Sequence, residues 1–175
     1  MIKGEPMTDS YYKPLEIVTQ EVCGFAPAFR AMRNPWMSHE KADWGSDVKL
    51  ARKLILAGDE QAKALRGVIV YAEMKAQIGW IVEFDTYRIG IETLSTSSTM
   101  HLDFKGMKGP ELASAKQENL PNVVYQRGIM ASYQALRRVY KQRRNHRHPD
   151  WRVFCEWIES LPGFTDLIWP EHQGG

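Results

Sequence analysis

Residues 124–148 read VYQRGIMASYQALRRVYKQRRNHRH, and the reading of this stretch decides the fold. Wound at about 100° per residue, it brings Ile129, Tyr133, Leu136 and Tyr140 to within roughly 60° of one another, an arc suited to a core. Arg127, Gln134, Arg137, Arg138, Lys141 and Arg144 then share an arc of about 120° on the other side. The pattern predicts one long basic amphipathic helix that Pro149 stops. Like charges at this spacing weaken an isolated helix, so something negative compensates them. Two readings follow: carboxylates elsewhere on the chain pair with a solvated basic face, or the stripe meets an anion such as phosphate, a nucleotide or nucleic acid.

The rest of the chain narrows those readings. With 175 residues, 43% hydrophobic and 25% charged, the sequence suits a single domain over residues 1–175 with a sizeable core, its ends at 1–14 and 170–175 flexible. Twenty-three basic residues stand against 21 acidic ones, a net charge of only +2, so positive charge is concentrated locally rather than spread as in a generic polyanion binder. Cys23 and Cys155 lack close partners, which argues against a zinc knuckle or a disulfide framework and fits a reducing cytoplasm. No apolar run approaches a membrane span, and the first residues lack the apolar core of a signal peptide.

Leu15–Thr19 alternates as a short strand does. Arg30–Trp36 sets two arginines, an amide and an indole beside Pro35, which makes a loop or helix end and brings Arg33 and Trp36 into the candidate ligand set. Ser46 or Asp47 caps a helix through Val48, Ala51, Leu54 and Ile55 that Gly58 ends, and Asp59 caps a short one to Arg66. Residues 67–72 and 78–88 each fit strand or helix, because periodicity alone does not separate the two in short apolar runs. The hydroxyl cluster Thr93–Thr99 competes with regular structure and reads as a loop or helix start. Pro110 precedes a helix over Glu111–Glu118, and Asp150 caps a last helix that turns Trp151, Phe154, Cys155, Trp157 and Ile158 to the core.

The five histidines form no recognisable ligand pattern, Cys155 among aromatics reads as an inert buried thiol, and GxSxG, P-loop and GxGxxG motifs are lacking. The central segment is richer. Trp80 offers a stacking face, Glu83 and Asp85 offer acceptors for a base or ribose, and Arg88, Ser95, Ser98 and His101 offer donors to phosphate. The same set also reads as an ion-paired core with a capped helix.

The stretch Tyr125–Arg138 resembles the signature RHRxxSxNExSxRY of the flavin-dependent thymidylate synthases, with Arg127 on its third position, Arg137 on its last arginine and the spacing between them kept. Tyr125 and Gln126 stand where the signature has Arg and His, Met130 where it has Ser, and Ser132–Tyr133 where it has Asn–Glu. A wider pattern, from Glu83–Arg88 and Ser98–His101 through Tyr133–Arg147 to Asp150–Trp151 and Leu161–Pro162, resembles phage-encoded proteins of thymidylate-synthase-like kind over roughly Trp80 to Ile168. The resemblance implies an α/β (α+β) fold with a mixed sheet and several helices, and a homo-oligomer such as a tetramer with nucleotide sites shared between subunits.

The positions replaced are those a synthase uses on its substrate. The resemblance therefore implies a cytoplasmic, cofactor-free protein that sequesters a small phosphorylated nucleotide, for instance a cyclic nucleotide or ADP-ribose derivative used as a host immune signal. One alternative is a synthase-like enzyme that uses FAD on a pyrimidine nucleotide. Another, disfavoured by the near-neutral charge, is a nucleic-acid-binding protein. On the leading reading Arg127, Arg137 and Lys141 form a phosphate-facing row, with Arg88 and the Ser95–His101 loop opposite.

Overall fold

The computed structural model describes residues 12–170. The stretch that opened the sequence reading divides in two: β4 (Val124–Ser132) is a strand and only α5 (Tyr133–Arg143) is helical. Tertiary pairing overrides the helical pattern here. In β4 the residues Arg127, Ile129 and Ala131 alternate inward while Gln126, Gly128 and Met130 face the other way, and each edge of the strand finds a partner. Ile129 is therefore core, as expected, but through a period of two rather than 3.6. The helix starts where the Ser132 hydroxyl accepts from the Ala135 amide at 3.2 Å.

Four antiparallel strands lie in the order β1 (Glu16–Cys23), β2 (Ile69–Gln77), β4, β3 (Ile91–Thr96), so the expected mixed sheet is in fact wholly antiparallel. Residues 67–72 thus resolve as the start of a strand, whose Val70, Ala72, Met74 and Ala76 are buried between exposed Glu73 and Lys75. Residues 78–84 resolve as helix α3 (Ile78–Phe84). The hydroxyl cluster divides: Thr93–Thr96 belong to the edge strand β3, which pairs Ile91 with Ala131 and Thr96 with Arg127 so that cross-strand hydrogen bonds outweigh local ones, while Ser97–Thr99 lie past it in a loop, as expected.

Helices α1 (Phe25–Met32), α2 (Trp44–Ala57), α3, α5 and α6 (Pro149–Glu159) share one core with a single face of the sheet, while α4 (Gly109–Asn119) buries nothing. Two caps differ from expectation. Asp43, not Ser46 or Asp47, caps α2 by accepting from the Ser46 amide at 3.0 Å, and the buried Asp47 holds Arg33 at 2.6 Å. His148, not Asp150, caps α6, its Nδ1 accepting from the Asp150 amide at 3.2 Å. Asp150 is buried and accepts from the Leu15 amide at 3.0 Å and the Tyr12 hydroxyl at 2.5 Å. The short 3-10 turn Lys63–Arg66 follows Ala62 rather than Asp59.

Residues 1–11 and 171–175, most of the ends expected to be flexible, lie outside the described residues. Of the remainder, Tyr12 and Lys13 are tied to Asp150 and Gln77, and the Pro170 carbonyl accepts from Arg52 at 3.2 Å. No helix of the described residues is long and apolar enough to cross a membrane.

Candidate functional site

Where β4 runs into α5, a cavity of about 710 Å³ opens on the face of the sheet away from the core. Ile69 of β2 and Met130 of β4 give it an apolar floor, and Glu92, paired with Met130 across β3 and β4, forms one wall. Gln134 and Arg138 of α5 form another, and Asp59, Glu60 and Arg66 close it from the segment between α2 and β2. Gly90 makes the junction possible. Its φ is +79°, and a Cβ there would stand 2.8 Å from Ser132 Oγ, so only glycine lets the start of β3 pass this close to the head of α5.

The polar groups of this cavity are held in a fixed network. Arg66 Nε donates to Gln134 Oε1 at 2.7 Å, Gln134 Nε2 donates to the Asp59 carbonyl at 3.1 Å, and Arg138 Nε donates to the Gln134 carbonyl at 3.4 Å. The Asp59 carboxylate faces Arg137 at 3.8 Å. Arg137 itself does not reach the cavity: it is 2% exposed and donates from Nη1 to the Ile168 carbonyl at 2.7 Å.

A second cleft, of about 410 Å³, shares Glu92 with the first and is lined by Asp85, Tyr87, Arg88, Thr93 and Arg127. Arg127 lies on the inward face of β4, pairs with the Asp85 carboxylate and donates from Nε to Thr96 Oγ1 at 3.1 Å. Arg88 donates from Nε to the Asp85 carbonyl at 3.3 Å. A narrower groove containing both Arg88 and Arg138 runs between the two.

The expected phosphate row therefore does not exist as a row. Arg127 is on a strand, Arg137 is buried in the helix, and Lys141 lies farther along α5 and Arg144 just past its end, outside both cavities, with Arg144 over the Trp169 ring at 4.5 Å. Trp80 cannot stack on a base, since it is 1% exposed and packed against Phe84 and Trp151. Glu83 faces the same cluster: it accepts from Trp151 Nε1 at 2.8 Å, and this bond, followed by the charge of Arg143, holds its carboxyl below the usual carboxylate range. Arg33 and Trp36 sit apart, around the end of α1, where Trp36 is 65% exposed. Ser95, Ser98 and His101 lie along and just past β3, outside both cavities.

The structure thus gathers Asp85, Arg88 and Arg127 in one cleft and Gln134 and Arg138 in the other. Arg66 and Ile69 were missed, because no spacing connects the segment before β2 to a helix that begins with Tyr133. Met130 and Ser132 had a signal in the signature positions they occupy.

The chain matches no protein-family model, and no curated protein matches it in sequence. Solved structures do match. The flavin-dependent thymidylate synthase ThyX from Helicobacter pylori, complexed with FAD and dUMP, aligns with a TM-score of 0.72 over 89% of this chain and 98% of that one, at 14% identity. The fold is that of ThyX. A second structure of the Helicobacter pylori ThyX with FAD and dUMP aligns with a TM-score of 0.69 over 91% of this chain and the whole of that one, again at 14% identity. Within this ThyX fold, the residues laid over the signature occupy β4 and the first two turns of α5. Of the substituted members, Met130 and Ser132 line the cavity, whereas Tyr133, in place of the signature Glu, is fully buried and donates its hydroxyl to the Pro162 carbonyl at 2.7 Å.

Proposed function

We propose that the chain binds a small phosphorylated nucleotide in the β4–α5 cavity and holds it unchanged. The observation that carries this reading is the pairing of two anchored guanidinium groups, Arg66 and Arg138, with an apolar floor in one cavity of a ThyX fold. Arginine forks recognise phosphate oxygens, and a flat base packs on apolar side chains. Retention without turnover is supported by the substitutions. The Met130 thioether donates no hydrogen bond, and the buried hydroxyl of Tyr133 is already bonded within the protein. Sequestering such a ligand in the cytoplasm would remove a signal without destroying it. Among the described residues one sheet face is without helical cover, with Val18 and Leu94 exposed on its strands, which supports assembly into a homo-oligomer.

A flavin-dependent enzyme is the second reading, favoured by the ThyX likeness and by the adjoining cleft at Arg127. The residues do not fit a flavin held as the signature holds it. Tyr125 and Gln126 replace its Arg and His, and the Gln126 amide donates to Glu73 at 3.2 Å.

Mass spectrometry of ligands released from the purified protein, followed by return of a bound nucleotide to fresh protein, tests both readings. Recovery of the same nucleotide after incubation is the expected outcome. Its conversion in the presence of flavin and a nicotinamide reductant would establish the enzyme. Nucleic-acid binding would show as affinity for long polyanions that falls steeply with salt.

A further inference from the structure

We infer that Gln134 is a positioning residue that aims Arg66, beside Arg138, at the terminal phosphate of the ligand, an inference that rests on the nucleotide-binding reading above. Gln134 is 5% exposed, in the first turn of α5, and every polar atom of its side chain is engaged. Donation from Nε2 to the Asp59 carbonyl fixes which way the amide points, so its oxygen faces Arg66 and accepts from Nε. The backbone carbonyl of the same residue accepts from Arg138 Nε. One residue thus anchors both guanidinium groups of the cavity, each by its single Nε–H.

The consequence lies in what those anchors leave over. The terminal amino groups of Arg66 and Arg138 have no protein partner among the described residues, and both side chains line the cavity. A guanidinium held at Nε presents its two remaining amino groups as a preset fork, which a phosphate with several unesterified oxygens fills best. The acidic groups set the scale of the ligand's charge. Asp59 already faces Arg137, and Glu60 and Glu92 line the same cavity, so phosphates beyond the one held by the arginine forks would meet carboxylates. Gln134 lies 68 residues from Arg66 in the sequence, which is why only the folded chain reveals the arrangement.

The test is calorimetry on the full chain with dUMP, deoxyuridine and inorganic phosphate, using wild type, Arg66→Gln, Gln134→Met and the double variant, each with a thermal melt. We expect dUMP affinity to fall by about tenfold or more in each single variant and no further in the double, with deoxyuridine binding unchanged and a lower melting temperature in Gln134→Met, which loses two hydrogen bonds. Unchanged dUMP affinity in Gln134→Met, additive losses in the double, or a parallel fall in deoxyuridine binding would each overturn the inference. If Gln134→Met does not fold, Arg66→Lys replaces it. Lysine keeps the charge but not the anchored fork, so its retaining full dUMP affinity would also overturn the inference. Inorganic phosphate separates the two claims: phosphate bound through Arg66 and Gln134 without dUMP binding defeats the nucleotide reading alone, and binding of neither defeats both.

Discussion

Trp151 and Glu83 meet edge to edge, the indole Nε1 donating to the carboxylate at 2.8 Å while Arg143 lies over the indole ring at 4.5 Å and faces the same carboxylate at 3.8 Å. This contact joins α3, α5 and α6 just behind the second cleft, whose Tyr87 accepts from Arg143 Nε at 2.6 Å. The bond from Trp151 favours the ionised carboxylate, so the folded-state pKa of Glu83 lies below its unfolded value. Its contribution is therefore present above the ordinary carboxyl range and is lost as pH falls through the folded value. Thermal melts should show wild type more stable than Glu83→Gln at neutral pH, with the gap closing as pH falls below the ordinary carboxyl range. At 41% exposure of the side chain the gap is small.

Arg137→Ala should destabilise rather than merely weaken binding. The substitution removes a buried guanidinium that satisfies the Ile168 carbonyl and leaves a cavity beneath the chain end, a loss of about 2–4 kcal/mol in denaturant unfolding. Arg138→Ala, on the cavity wall, should leave stability within about 0.5 kcal/mol and lower nucleotide affinity instead.

Leu136 is fully buried on the inner side of α5. Its replacement by Ala should cost about 2–5 kcal/mol, read as a lower denaturant midpoint with unchanged slope.

Gly90→Ala forces a left-handed backbone onto a side chain that would also strike Ser132 Oγ. A loss of about 1–3 kcal/mol is expected, with circular dichroism still reporting the native fold at low temperature.

Burial, then the nearby Glu159, pushes the Cys155 thiol up to about 12. At neutral pH a thiol reagent should therefore leave Cys155 unmodified in native protein and reach it only after unfolding, whereas Cys23 is half-buried and labels first.

The sequence announced the last helix and its aromatic core face, because Trp151, Phe154, Trp157 and Ile158 recur at helical spacing after a proline. It announced the α2 region and the strand at β1 by the same local logic. What stayed hidden was set by pairing at a distance. Arg127 reads as helical only while its neighbours β2 and β3 are out of view, and β3 reads as a loop until β4 supplies hydrogen bonds that its hydroxyls would otherwise make locally. Trp80 looked like a stacking platform because an indole beside charged residues looks alike in a pocket and in a core. The residues Tyr125–Arg138 that resemble the signature span the strand-to-helix junction at which the cavity opens, though their periodicity reads as one continuous helix.

The strand order carries a consequence for how the chain is made. Among the described residues β4 is the last strand synthesised, yet it lies between β2 and β3 and is the hydrogen-bonded neighbour of β3. On the ribosome, β1 and β2 can form a hairpin-like pair early, while β3 emerges with both edges bare and waits for some thirty residues of chain to bring its partner. The nascent protein therefore passes through a stage in which the edges of β2 and β3 that β4 will join are both unpaired, and the cavity floor, which needs Ile69 and Met130 together, appears only when β4 fills that gap.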